Sequence, residues 1–156
     1  MQAAPVLFVC LGNICRSPLA EGIFRHLSEE AGLTERYPAD SAGTGSWHAG
    51  GSPDPRSIAI ARQNGINIEN QKARQVTSHD FERFALILAM DRNNLENLRR
   101  QASTNCRNKI HLFADFALGT QKDVPDPYYG GEDGFKQVYN MLFSGCSSLL
   151  AKLEAR

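Results

Sequence analysis

The chain has 156 residues, 42% of them hydrophobic, and its 17 lysine and arginine residues balance 17 aspartate and glutamate residues. This length suits one domain with its own core, predicted over residues 1–156, and a net charge of zero gives no basis for sequence-independent nucleic-acid binding. Because no apolar run approaches the roughly 20 residues that span a bilayer and the first residues lack a secretion signal, we expect a cytoplasmic protein with no membrane partner.

Four segments predict β-strands. Residues 6–10 and 85–90 are short apolar runs, typical of strands buried on both faces. Residues 40–43 are predicted to end another strand, and residues 109–113 to form the last. Since these strands alternate with helical segments, the sequence predicts an α/β fold, a small doubly wound domain with a four-stranded parallel sheet and helices on both faces.

Helix signals follow the strands. Ser17 at an N-cap with Pro18 at the first helical position predicts a helix that continues to about Ala31. Further helices are predicted over residues 54–65 with Gly65 after the last turn, from Thr77 with Asp80, from Asp91, and over residues 135–153. From the last strand to Gly131 we predict a long loop, a feature that is often functional.

The first predicted strand ends at Cys10, and doubly wound sheets bind ligands beyond the carboxyl ends of their strands. The spacing Cys10-x5-Arg16 is a weak pattern alone, but here it lies between a buried strand and a helix start. A loop that curls into a helix N-terminus points its N–H groups inward and can hold an anion, and Gly12 is expected to permit the turn. Arg16 adds donors that match phosphate oxygens, and the same positive field favours the thiolate form of Cys10.

Two candidate site residues, Cys10 and Asp126, also have simpler interpretations. Cys10 could be a small buried hydrophobic residue that ends a strand. That alternative does not explain why the following residues all suit a phosphate site: Gly12, Asn13, Arg16, Ser17 and Pro18. Asp126, in the predicted long loop, could protonate a leaving oxygen or could only open a turn. The histidines and cysteines show no metal-ligand spacing, so we expect no metal or other cofactor.

Two motifs carry a family resemblance: residues 10–18 (CLGNICRSP) and residues 126–130 (DPYYG). In these two motifs, the chain resembles the low-molecular-weight protein tyrosine phosphatases. The resemblance extends over nearly the whole chain through shorter matches at residues 40–44, 47–48, 52–56, 72–75 and 90–91. It implies a cofactor-free, metal-independent hydrolase with phosphotyrosine-containing proteins as partners and inorganic phosphate or vanadate as inhibitors.

The resemblance also implies residue roles. Cys10 would be the nucleophile that forms a phosphocysteine, and Asp126 would act first as general acid and then as general base. The phosphoryl group would be held by Arg16 and the amides of the loop, which comprises Leu11, Gly12, Asn13, Ile14, Cys15 and Arg16. Ser17 would hydrogen-bond the Cys10 thiolate, and a network with Ser41 would hold Asn13 in a left-handed conformation. The pocket rim would consist of Trp47, Tyr128 and Tyr129.

Three residues refine this expectation. Some relatives have His at the position of Gln71, where it supports the loop asparagine, and the Gln71 amide is expected to donate to Asn13 instead. Relatives that prefer phosphoarginine have Thr at the position of Ile14, and an apolar side chain beneath an aromatic rim suits a phenyl ring. Cys15 could pack beneath the loop or form a disulfide with Cys10 on oxidation, and position alone leaves both open. The resemblance favours the redox switch.

Two other functions share parts of this pattern. A thiol-coupled arsenate reductase would have the Cys-x5-Arg loop, but it needs a relay pair of cysteines, and residues 76–100 contain none. A phosphotyrosine-binding or redox-sensing module without activity would be expected to lack Cys10, Arg16 or Asp126, and all three are present. The sequence therefore favours an active phosphatase.

Overall fold

The computed structural model describes residues 2–128 and 130–156. Its sheet has four strands: β1 (Val6–Cys10), β2 (Ala39–Gly43), β3 (Leu86–Ala89) and β4 (Ile110–Leu112). The strands lie in the order β2-β1-β3-β4, and all three pairings are parallel. The predicted four-stranded parallel sheet is therefore confirmed. Strand order reverses between β1 and β3, which places the switch point beside the carboxyl end of β1, at Cys10.

In the described part of the chain, six α-helices connect and follow these strands. They are α1 (Arg16–Glu30), α2 (Pro55–Gln63), α3 (Ser78–Arg83), α4 (Arg92–Gln101), α5 (Phe113–Leu118) and α6 (Glu132–Glu154), with a 3₁₀ helix at Thr104–Lys109. None of the helices in the described part of the chain is both long and apolar enough to cross a membrane.

Alternate residues of the strands enter two separate cores, because successive side chains of a strand point to opposite faces of the sheet. Phe8 lies in the larger core, where its ring packs 5.7 Å from Phe24 and 6.2 Å from Phe113. This core contains residues of α1, α2, α5 and α6. Leu7 and Val9 lie in the smaller core with residues of α3 and α4. Helices therefore cover both faces, as a doubly wound fold requires.

Local signals correctly predicted the starts of three helices. The Asp54 side chain accepts a hydrogen bond from the Arg56 amide at the start of α2, and Asp91 accepts one from the Asn94 amide at the start of α4. Thr77 and Asp80 form the capping box of α3. Gly65 follows α2 with φ of +78°, a conformation that glycine adopts without strain.

At the two segments that carry the candidate site residues, the predicted boundaries are wrong. Helix α1 begins at Arg16 with Cys15 at its N-cap, not with Ser17, because the preceding loop enters the helix directly and the Ser17 hydroxyl instead contacts Cys10. The predicted long loop is interrupted by α5, whose apolar residues Phe113, Ala114 and Ala117 pack into the interior. Between α5 and α6, the described residues 119–128 and 130–131 form no helix or strand. This stretch carries Asp126 and is here called the 119–131 segment.

Candidate active site

Residues 11–15 form the loop between β1 and α1, here called the phosphate loop. Amides from outside the loop bind carbonyl groups at both of its ends. Cys10, which ends β1, and Leu11 accept from the amides of Thr44 and Gly45, both at 2.9 Å, and Ile14 accepts from the Asp54 amide at 2.8 Å. Among the described residues, the amides of residues 12–15 have no hydrogen-bond acceptor. A loop with bound carbonyls and free N–H groups at a helix N-terminus can bind an anion.

The loop backbone fits closely against β2 at Gly43. A Cβ atom at Gly43 would lie 2.8 Å from the Leu11 carbonyl oxygen and 3.1 Å from the Asn13 nitrogen, so only glycine permits this approach. Asn13 has φ of 57°, which confirms the expected left-handed conformation. The expectation for Gly12 is wrong, because it does not have a positive φ. A side chain there would instead meet the His48 ring at 3.0 Å.

A chain of buried hydrogen bonds leads from the nucleophile candidate into the interior. The Cys10 thiol lies 3.0 Å from the Ser17 hydroxyl. The side-chain amide of Asn13 donates to the Ser17 hydroxyl at 2.8 Å and to the Ser41 hydroxyl at 3.0 Å. Ser41 donates in turn to the Glu21 carboxyl at 2.7 Å. Burial raises the pKa of Glu21 above its usual value. The contacts expected for Ser17 and Ser41 are present, and Glu21 was not predicted as part of this network.

The expected hydrogen bond from Gln71 to Asn13 is absent. Instead, the Gln71 amide donates to the Pro18 carbonyl at 3.0 Å, and the Asn13 side-chain oxygen accepts from the Arg74 amide at 3.0 Å. The backbone beside the loop already supplies the donor that the Asn13 oxygen needs. Support for the left-handed residue therefore comes from a main-chain group, which does not depend on the side chain at position 71.

Arg16 is buried and held by three groups. Its Nη1 donates to Asp91 at 2.7 Å and to the Val124 carbonyl at 3.0 Å, and its Nη2 lies 3.6 Å from the Asp126 carboxylate. Its Nε is buried and has no hydrogen-bond partner among the described residues. The guanidinium therefore has a fixed orientation and retains a donor for a ligand.

Asp126 lies on the 119–131 segment with its side chain 39% exposed, and one of its oxygens accepts from the Tyr128 amide at 3.0 Å. It shares a cavity of about 400 Å³ with residues of the phosphate loop. The cavity is lined by Cys10, Leu11, Gly12, Ile14, Cys15, Arg16, Trp47, His48, Asp126 and Tyr128. Trp47, 71% exposed, lies at its mouth with Tyr128. Tyr129, the third expected rim residue, lies outside the described residues.

Cys15 is a buried free thiol next to Arg16. Burial raises its pKa to about 12, and the nearby Asp54 carboxylate acts in the same direction. At neutral pH Cys15 is therefore a thiol rather than a thiolate, which limits its reactivity while it stays in this position.

Besides Glu21, two further functional candidates were not predicted from the sequence. The sequence predicts only that a helix begins at Asp91. Asp91 also follows β3, beside the carboxyl end of β1, where the rule for doubly wound sheets indicates a site residue. Arg56 contacts the backbone of the Asp126 segment through hydrogen bonds to residues 128 and 130. No local pattern indicates that contact, because it joins parts of the chain more than 70 residues apart.

Comparisons with known proteins agree with this geometry. Residues 5–156 match the family model for low molecular weight phosphotyrosine protein phosphatases. A phosphatase of that description from Schizosaccharomyces pombe is 47% identical over 150 residues, which are 95% of this chain and 96% of the relative. The crystal structure of a protein tyrosine phosphatase from Entamoeba histolytica superposes with a TM-score of 0.93 at 41% identity, covering 98% of each chain.

A further structural neighbour has a different substrate in its name. The crystal structure of a Drosophila arginine phosphatase superposes with a TM-score of 0.87 at 34% identity, covering 95% of this chain and 96% of that chain. The fold is therefore shared by proteins named for two kinds of phosphorylated residue.

The family match covers nearly the whole chain, and the cavity contains the residues of both motifs. The chain belongs to the low molecular weight phosphotyrosine protein phosphatases. It is accordingly a hydrolase of a family that acts on phosphotyrosine substrates.

Proposed function

We propose that this protein hydrolyses phosphotyrosine monoesters of proteins through a phosphocysteine intermediate on Cys10. The observation that carries the proposal is the position of Arg16, which follows the phosphate loop, lines the same cavity as Cys10 and lies 3.6 Å from the Asp126 carboxylate. A nucleophile, a phosphate-binding cation and a proton donor thus line one cavity.

In the first step, the Cys10 sulfur attacks phosphorus and the bond from phosphorus to the tyrosine oxygen breaks. Asp126 donates its proton to that oxygen as tyrosine leaves. The amides of Leu11, Gly12, Asn13, Ile14, Cys15 and Arg16, together with the Arg16 guanidinium, hold the three phosphoryl oxygens. The Ser17 hydroxyl, 3.0 Å from the Cys10 sulfur, stabilises the thiolate before the attack and after its release.

In the second step, water attacks the phosphorus of phosphocysteine and the sulfur–phosphorus bond breaks. Asp126, now a carboxylate, accepts a proton from the water, and the Cys10 thiolate and inorganic phosphate are released. Inorganic phosphate and vanadate inhibit because they occupy the phosphoryl position.

Four residues favour phosphotyrosine over other phosphorylated residues: Ile14, Trp47, Tyr128 and Tyr129. An apolar side chain in the cavity and aromatic groups at its mouth suit the tyrosine ring better than a guanidinium, and phosphoserine is too short to extend from the mouth to the loop. Tyr129 is included on the resemblance alone. The contrast with the arginine phosphatase makes substrate class the first property to measure.

A metal-free assay on four substrates tests the proposal. We expect hydrolysis of 4-nitrophenyl phosphate and of a phosphotyrosine peptide, with kcat/KM for phosphoserine and phosphoarginine peptides at least about 100-fold lower. Cys10→Ser should abolish turnover while phosphate still binds, because the loop and Arg16 remain. Comparable hydrolysis of the phosphoarginine peptide would reject the substrate assignment, and an active Cys10→Ser variant would reject the covalent mechanism.

A reducing compartment suits this chemistry. The four cysteines are free thiols, and the reaction requires Cys10 in its reduced state. We therefore assign the protein to the cytoplasm. Fractionation of the source cells, with the protein detected by antibody, tests the assignment, and recovery in an oxidising or membrane fraction would contradict it.

A further inference from the structure

Arg56 lies in the first turn of α2 and joins that helix to the segment that carries Asp126. Its guanidinium donates to the Tyr128 carbonyl at 2.9 Å and to the Gly130 carbonyl at 3.2 Å. Its plane also lies over the Phe135 ring, 4.6 Å from the ring centre. These contacts fix the chain two and four residues after Asp126.

The guanidinium is itself oriented by Asp54, the N-cap of α2. Two hydrogen bonds of 3.0 Å join the two side chains. Asp54 is buried, and its amide donates to the Ile14 carbonyl of the phosphate loop at 2.8 Å. A continuous set of contacts therefore connects the phosphate loop, through Asp54 and Arg56, to the backbone after Asp126.

The other side of Asp126 is held by different groups. Val124, two residues before it, donates to the Met90 carbonyl at 2.8 Å and accepts from Arg16 at 3.0 Å. The carboxylate of Asp126 is partly exposed, and its distance to Arg16 is 3.6 Å. The backbone on both sides therefore determines where the carboxylate lies, and on the later side Arg56 donates hydrogen bonds to that backbone.

We propose that Arg56 is a positioning residue that holds Asp126 in place for proton transfer to the leaving group. The proposal rests on the proposed function, in which Asp126 is the general acid. Proton transfer requires a donor within hydrogen-bond distance of the leaving oxygen, so a small displacement of the carboxylate slows this step. An arginine suits the role because its planar fork binds Asp54 and two carbonyls at once, which a lysine cannot do.

Arg56→Met tests the proposal, since methionine retains an apolar stem against Phe135 but has no donor. We expect kcat/KM for phenyl phosphate, whose leaving group needs a proton, to fall by about 10-fold. The fall for 4-nitrophenyl phosphate should be about 2-fold or less, because a nitrated phenol leaves with less assistance. The matched control is Arg62→Met on the same helix, where an exposed ion pair with Glu69 is lost and both values should remain unchanged.

A double-mutant cycle with Asp126→Ala separates positioning from a general structural role. If Arg56 acts through Asp126, Arg56→Met should change kcat/KM by less than about 2-fold in the Asp126→Ala background. An equal loss for both substrates, or a full loss in that background, would overturn the proposal. Arg56→Lys should lose less than Arg56→Met, because it keeps one donor.

Two further readouts keep the outcomes distinct. The inhibition constant of inorganic phosphate should be unchanged in Arg56→Met. A larger constant would show that Arg56 supports phosphate binding by the phosphate loop instead. If the loss of kcat/KM in Asp126→Ala were the same for both substrates, the proposed acid role would fail. If that loss differed between the substrates in Asp126→Ala but not in Arg56→Met, only the positioning role would fail.

Discussion

The Arg16 guanidinium contacts the Asp91 carboxylate at 2.7 Å, which joins the phosphate loop to the N-terminal cap of α4. The other Asp91 oxygen accepts from the Asn94 amide at 2.8 Å, so one carboxylate both caps α4 and orients the Arg16 guanidinium. Arg16 follows β1 and Asp91 follows β3, and these two strands are neighbours in the sheet. The fold therefore brings the two side chains together beyond the carboxyl ends of the strands.

Asp91→Asn tests that pairing. Asparagine caps a helix as well as aspartate does, so α4 should remain, but the charged partner of Arg16 is lost. Since a hydrogen bond between charged groups contributes about 1.5–3 kcal/mol, we expect phosphate to inhibit about 10-fold more weakly and KM to rise. Inhibition constants and thermal unfolding of both proteins measure this. Unchanged phosphate inhibition would show that Arg16 is oriented without Asp91.

Asp126→Ala should reduce kcat/KM for phosphotyrosine by roughly 10²–10⁴. The loss should shrink for aryl phosphates whose phenols have lower pKa values, because those groups leave without a proton. A series of substituted phenyl phosphates measures this as the slope of log kcat/KM against leaving-group pKa. An identical slope in both enzymes would assign Asp126 to structure.

Cys15→Ser should leave the reduced enzyme nearly as active as the parent but make peroxide inactivation harder to reverse with thiols. Burial keeps Cys15 protonated, so the loop must shift before its sulfur can attack a Cys10 sulfenic acid. Bound phosphate should protect Cys10 in both proteins. Peptide mapping after peroxide treatment checks for a Cys10–Cys15 disulfide. Without that cross-link, or with full recovery of Cys15→Ser, Cys15 has only a packing role.

Asp80 gives a prediction about stability and pH. Burial alone would raise its pKa, but hydrogen bonds from Arg74 and the Thr77 amide outweigh burial and leave the pKa below its usual value. The resulting stabilisation is present above the unfolded-state pKa of about 3.9 and is lost as pH falls through the lower folded-state pKa. Asp80→Asn should therefore reduce the free energy of unfolding by about 1–2 kcal/mol at pH 7, and the difference from the parent should narrow below pH 4.

Denaturant unfolding of both proteins between pH 7 and pH 3 measures this difference. Asp115→Asn is a matched control, because Asp115 is an exposed carboxylate in the first turn of another short helix, α5. If the free energies of unfolding of Asp80→Asn and the parent differed by the same amount at every pH in this range, the Asp80 charge would not account for the loss of stability.

Contacts within short stretches of the chain were predictable, whereas contacts between distant segments were not. The loop from Cys10 to Arg16 and the caps at Asp54 and Asp91 are local, so residue type and spacing were enough. The resemblance supplied Ser41, which lies 28 residues from Asn13. The role of Arg56 depends on how the 119–131 segment returns to α2, and the sequence gives no pattern for it.

The same distinction explains the errors. Ser17 before Pro18 matches the signal for a helix start, but that signal does not show that the loop enters α1 directly at Arg16. Only the resemblance implied that the Ser17 hydroxyl contacts Cys10. Gln71 was assigned to Asn13 because the competing donor, the Arg74 amide, is a main-chain group that no side-chain pattern reports. Both corrections depend on the path of the backbone, which the fold determines. That path decides which donors and acceptors come within hydrogen-bond distance.

Rapid acid quench during turnover of 4-nitrophenyl phosphate tests whether Cys10 forms a phosphocysteine. We predict that quenched protein carries one phosphoryl group, that peptide mapping places it on Cys10, and that Cys10→Ser carries none under the same conditions. Turnover without any phosphorylated protein at times before the steady state, or a phosphoryl group on a residue other than Cys10, would contradict it.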